Sequence, residues 1–164
     1  EYPELVTLLV GNHDMHYIIE DFMDCSRRNT AMLDQLHKLY NSNLDLFNLI
    51  HIEDDWLFSH AGVYKGWMNK YEFTLEDLNL KTFLGSHWPA LEDLSMYRGG
   101  YNFVGSCVWA DIRESVKNEL FPGYKQVVGH TQLNDKPYIT DKIVCVDVRR
   151  CFILDTITGK IENA

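Results

Sequence analysis

The sequence predicts a single α/β domain, on three observations. Apolar runs at residues 5–10 and 56–58, and a strand-like segment at 126–128, each stop at a small or polar residue and then deliver Asn or His into the next segment. Between the first two runs, apolar residues recur at three-to-four spacing, the mark of helices with one buried face. Towards the end, Ile143, Cys145 and Asp147 alternate with Val144, Val146 and Val148, the period of a strand.

Residues 5–10, Leu-Val-Thr-Leu-Leu-Val, form a continuous and partly β-branched run closed by Gly11, which reads as a buried strand. Asn12, His13 and Asp14 then lie in a loop at the strand's C-terminal end. From 18 to 40 the helical spacing of Ile19, Phe22, Met23, Met32, Leu33, Leu36 and Leu39 predicts two helices, broken at 26–30. Residues 46–52 predict a strand, Glu53-Asp54-Asp55 a turn, and 56–58 a second strand with His60 at its end. The stretch from 64 to 104 reads mostly as loop, apart from a short helix over 74–80 whose Thr74 hydroxyl caps the first turn. A turn or two of helix is expected over 115–120, and a strand over 126–128 leading to Gly129 and His130. Residues 151–155, a turn at 156–160 and Ile161 suggest a closing antiparallel hairpin.

The 164 residues are 46% hydrophobic and 24% charged, enough for one core without disulfides or a structural metal. The net charge of −9 and the lack of a Lys/Arg cluster exclude electrostatic capture of nucleic acid or an anionic membrane. No run approaches the roughly 18 apolar residues of a membrane span. Cys25, Cys107, Cys145 and Cys151 form no CxxC pair, so they read as free buried thiols and the location as cytoplasmic. The opening Glu1-Tyr2-Pro3-Glu4 has neither an initiator Met nor a signal-peptide pattern, so the chain reads as cut from something longer.

Three strand ends each offer a proton carrier or metal ligand in a loop that begins or ends with glycine: Asn12 and His13, His60, and His130. Ligands bind at strand ends in open α/β sheets because side chains converge there. Two imidazoles with an amide oxygen suit Mn, Fe or Zn better than Ca or Mg.

Gly11-Asn12-His13-Asp14, Ser59-His60-Ala61-Gly62 and Gly129-His130-Thr131 resemble the GNH[DE], H-[GA]-G and GHT motifs of the calcineurin-like metallophosphoesterases, in the phosphoprotein (serine/threonine) phosphatase branch. Order and spacing agree, with 47 residues from His13 to His60 and 70 more to His130, and Trp109 resembles that branch's Trp segment. The resemblance implies a two-sheet β-sandwich flanked by helices, and a binuclear metal site with ions about 3.5 to 4 Å apart. It makes Asn12, His60 and His130 ligands of one metal and His13 the acid that protonates the leaving oxygen. The implied activity is metal-dependent hydrolysis of phosphate esters, with a metal-activated water as nucleophile. The implied partner is a phosphorylated substrate, either a phosphoprotein or a nucleotide-type ester.

The earlier DxH and GDxxDRG motifs of that family are absent, so residues 1–164 read as the C-terminal portion of one domain. The complete domain would hold two divalent ions, and this chain alone one or none. Arg98 and Arg113 are the candidates for a phosphate-binding arginine. The alternative reading is a non-catalytic remnant or binding module that keeps the fold with an incomplete metal site.

Overall fold

The computed structural model describes residues 6–164. Its main sheet has five strands in the order β3-β4-β5-β7-β6. Strands β3 (Ile50–Glu53) and β4 (Trp56–Ser59) form an antiparallel hairpin. Its turn places Asp54 at φ +51°. Strand β5 (Lys125–Val128) runs parallel to β4, with Ser59 opposite Val128. Strand β7 (Ile143–Cys145) runs parallel to β5, and β6 (Tyr138–Ile139) closes the edge antiparallel to β7.

The β4–β5 pair decides where the chemistry lies. Two parallel strands in register end together, so His60 and His130, each just beyond its strand, leave the sheet side by side. Burial explains why these segments become central strands. Trp56, Leu57 and Ser59 of β4 are buried, as are all three residues of β7, which fits a sheet covered on both faces. Gln126 is the polar exception inside β5 and is completely buried. Its side chain accepts from the Val63 amide at 2.9 Å and donates to the Val63 carbonyl at 2.8 Å, pairing a loop that no strand serves.

Two further pairs of strands stand apart from this sheet. Strand β1 (Leu8–Leu9) runs parallel to β2 (Phe47–Asn48), and β8 (Phe152–Leu154) is antiparallel to β9 (Ile161–Asn163). The β8–β9 hairpin agrees with the tail's pattern. It is held to the β3–β4 turn by Trp56 Nε1 donating to the Thr156 carbonyl (3.0 Å) and Thr156 Oγ1 donating to Asp54 (2.7 Å).

The expected two-sheet sandwich is therefore corrected. Among the described residues the strands divide into one five-stranded mixed sheet, with a parallel centre and an antiparallel strand at each edge, and two short pairs. Residues 5–10 do not form a long buried strand: only Leu8 and Leu9 are strand, Leu8 is 41% exposed, and Leu5 lies outside the described residues. The apolar run marks proximity to the core, where Val10 is fully buried, and not strand length.

Helix positions differ as well. Helix α1 (Asn12–Ile18) starts immediately after Gly11, so Asn12 and His13 occupy a helical turn and not a loop. Asp14 drives this early start, because its Oδ2 accepts from the Gly11 amide at 2.7 Å. Residues 19–29 are irregular, and helix α2 (Leu33–Ser42) follows. The stretch from 64 to 104 carries helices α3 (Lys65–Lys70) and α4 (Leu80–Ser86) and much of the core, including Trp67, Phe83 and Leu91. Thr74 donates to Asp77 and does not cap a helix itself, whereas Asn79 caps α4 by accepting from Thr82. Asp111 caps a 3-10 turn over Ile112–Val116, earlier than the helix expected at 115–120.

Candidate functional site

A cleft with a volume of about 490 Å³ opens where α1 meets the ends of β4 and β5. Its lining includes Asn12, His13, Arg27, His60, Arg98 and His130, together with Trp109 and Asp147. A cavity of this size accommodates a small organic phosphate.

Residues far apart in sequence converge here for local reasons. Asn12 is the first residue of α1 and is buried, while His13 beside it is exposed towards the cleft. The His60 ring crosses over Gly11: a Cβ on that glycine would lie 2.6 Å from Nδ1 and Cε1. Gly11 is thus required by close approach. His60 Nε2 lies 2.9 Å from Asn12 Oδ1 and 2.9 Å from His130 Nδ1. One ring hydrogen cannot serve both contacts fully, so three atoms that carry lone pairs crowd one point. The Trp109 ring meets that of His130 edge-on, with centroids 5.7 Å apart.

Burial sets the electrostatics of the pair. It pushes the His60 pKa down to about 4. Burial, together with the charges of His60 and Arg98, pushes His130 down to about 2. Both rings are neutral acceptors near pH 7.

His130 adopts φ +60°, a left-handed conformation that costs a residue with a side chain on the order of 1 kcal/mol. Arg98 holds that backbone, donating from Nη2 to the His130 carbonyl (3.1 Å) and to Thr131 Oγ1 (2.7 Å). Arg98 is in turn held by Asp111, whose Oδ2 lies 2.8 Å from Nε. Asp111 is fully buried and also accepts from Arg113 Nε at 2.7 Å and from the Arg113 amide at 3.0 Å. Burial alone would raise the Asp111 pKa, but the Arg113 hydrogen bonds and the Arg98 charge outweigh it and hold the carboxyl below its ordinary range.

The structure brings Asn12, His13, His60 and His130 together at one cleft, as well as Arg98. Arg113 is not in the lining: its guanidinium is occupied by Asp111 and by the Tyr97 carbonyl. Sequence reasoning missed Arg27, although Arg27-Arg28 in the break between two helical patterns was the available signal. The alternation placed Asp147 within a strand, whereas the strand ends at Cys145 and Asp147 lines the cleft.

Two thiols back the site from behind: Cys25 Sγ touches Asn12, and Cys145 Sγ lies 3.4 Å from the carbonyls of Gly129 and Thr131 on either side of His130. All four cysteines are free. Burial raises Cys25 to about 11 and Cys107 to about 12, and raises Cys145 as well. Cys151 departs from the expected burial and is exposed. None of the four lines the cleft.

No protein-family model and no curated protein matches the chain. Among solved structures, the chain is similar to the cold-active protein-tyrosine phosphatase of a psychrophile, Shewanella sp., with a TM-score of 0.60 and 20% identity. The match covers 96% of this chain and 58% of that one, so the chain spans little more than half the length of its structural neighbour. Likeness at this identity is a likeness of fold.

These findings correct several expectations. The neighbour is a protein-tyrosine phosphatase, so the assignment to the serine/threonine branch of the calcineurin-like metallophosphoesterases is not retained. Three short motifs place polar residues at strand ends but do not determine sheet number or reaction class. The binuclear site and its Mn, Fe or Zn ions are likewise withdrawn: among the described residues no group of three or more His, Cys, Asp or Glu side chains could hold a metal ion. The contact partner of the His60–His130 pair is an amide, Asn12, and not a carboxylate. No helix among the described residues is long and apolar enough to cross a membrane.

Proposed function

We propose that this cleft hydrolyses phosphate monoesters. The observation that carries the reading is the meeting of His13, the His60–His130 pair and the Arg27 and Arg98 guanidiniums around one cavity. Likeness in fold to a protein titled a protein-tyrosine phosphatase supports the class of substrate, a phosphorylated side chain or a compound like it.

Hydrolysis of such an ester requires positive charge against the phosphoryl oxygens, an oriented water and a proton for the leaving alkoxide or phenoxide. Arginine supplies the first, with planar paired donors that match phosphate. The neutral imidazoles of His60 and His130, beside the Asn12 amide oxygen, accept hydrogen bonds from a water at the cleft floor. His13 is exposed at the rim, beside the buried histidine pair, and is assigned as the proton donor on that position. The raised pKa values and burial of Cys25 and Cys107 argue against a thiolate nucleophile in this chain.

The test is hydrolysis of p-nitrophenyl phosphate and of a phosphotyrosine peptide, each measured in chelator and with an added divalent cation. His13→Ala is expected to lower turnover on the peptide about 100-fold, the scale of general acid catalysis, with an unchanged thermal melt. A wild-type chain that hydrolyses neither substrate under either condition would defeat the reading. Unchanged turnover in the His13 variant would remove that residue from the role.

A further inference from the structure

The cleft's charges leave one guanidinium uncommitted. Arg98 lies against buried Asp111, and its Nη2 is taken by the His130 carbonyl and Thr131. Asp147 contributes a negative charge to the lining. Arg27 is exposed in the same lining, and among the described residues it takes part in no ion pair. Its neighbour Arg28 is instead paired with Asp24, which occupies the nearby acid.

The loop that carries Arg27 is pinned to α1 on both sides. Cys25 Sγ donates to the Asn12 carbonyl at 3.1 Å, and the Asn29 amide donates to Tyr17 Oη at 2.7 Å. Between these anchors Arg27 has φ +67°, in the left-handed region that favours glycine. A glycine would fit this turn better, yet the position carries the cleft's unpaired cation.

We propose that Arg27 is the anion-binding residue of the cleft, taking the phosphoryl oxygens of a phosphate monoester on its forked N–H donors. The proposal rests on the phosphatase reading for its substrate class. Without Arg27, a dianion entering the cleft faces Asp147 with no uncommitted guanidinium to offset it.

Inorganic phosphate is the probe. It is titrated at low ionic strength into isotope-labelled wild type, Arg27→Gln, Arg27→Lys, Arg27→Gly and Lys160→Gln, with amide and imidazole NMR shifts as the readout. Lys160→Gln is the control for net charge, since Lys160 is exposed in the turn between β8 and β9 and paired with Glu162. Expected are saturable shifts at His13 and at residues 25–29 in the wild type. Binding should weaken about tenfold or more in Arg27→Gln and Arg27→Gly, with partial recovery in Arg27→Lys and no change in Lys160→Gln. Arg27→Gly should melt at or above the wild-type temperature, which separates lost charge from lost fold. Wild-type affinity in Arg27→Gln, or no saturable binding by the wild type at tens of millimolar phosphate, would overturn the proposal. Arg27-dependent phosphate binding in a chain that hydrolyses no monoester would sustain it and sink the phosphatase reading alone.

Discussion

Replacing Asp111 with Asn tests the chain of contacts behind His130. Asn retains an oxygen that can accept from the Arg113 amide, so the cap of the 112–116 turn survives while the negative charge is lost. Arg98 and Arg113 then face each other without their shared counter-ion. Breaking a buried pair costs about 3 to 5 kcal/mol when the remaining charge stays dry. Here the discount is large for Arg113, whose side chain is 59% exposed and rehydrates, and smaller for Arg98 at 25%. A loss of about 2 to 3 kcal/mol is expected, which for a domain of this size lowers Tm by roughly 5 to 10 °C. The sign of the pH dependence follows from the depressed carboxyl pKa. The stabilisation by Asp111 is fully present above its unfolded pKa, near 3.9, and is lost as pH falls through the lower folded value. Thermal melts of wild type and variant should therefore differ most at neutral pH and converge in acid below that range. A variant within about 2 °C of wild type at pH 7, or a gap that persists at the lowest pH at which both still fold, would refute the account.

Two other substitutions separate site geometry from stability. Gly11→Ala puts a methyl carbon into the His60 ring, so loss of most of the proposed monoester turnover is expected; full activity would mean that the ring position is not critical. Gln126→Leu leaves the Val63 amide unpaired in the core, while the Val63 carbonyl keeps the Phe121 amide, a cost of about 1 to 3 kcal/mol readable by urea denaturation, and a midpoint equal to wild type would indicate that water or a shifted loop replaces the lost bond.

Much of the α/β character was legible in the residues, because β4 and β7 are short and mainly apolar, β5 ends in Val127-Val128 before Gly129, and the β8–β9 hairpin follows a clear pattern. Apolar content alone misled at residues 5–10, where Leu8 and Leu9 pair with only two residues of β2. The helical spacing near Phe22 misled in the same way: Phe22 is buried from an irregular segment, so burial mimicked a helix face. Asn12, His13, His60 and His130 were found because each follows an apolar stretch and lies within two residues of a glycine. Arg27 has no such signature. Its place depends on a thiol contact from Cys25 to Asn12 and on a tyrosine hydroxyl from α1, neither of which follows from local sequence. The resemblance failed for the fold because the motifs report strand ends and say nothing of how many sheets those strands build.

The parallel register of β4 and β5 also sets when the site can exist during folding. His60 and His130 are separated by 70 residues and meet only once Ser59 stands opposite Val128. No hairpin can nucleate that pairing, so the chain must first close a long loop, and loops of this kind make folding slow. The histidine pair is therefore a marker of late assembly: collapsed species with α1 and the β3–β4 hairpin already formed would still lack it. Refolding followed through the imidazole signals of His60 and His130 should lag behind the recovery of helical circular dichroism.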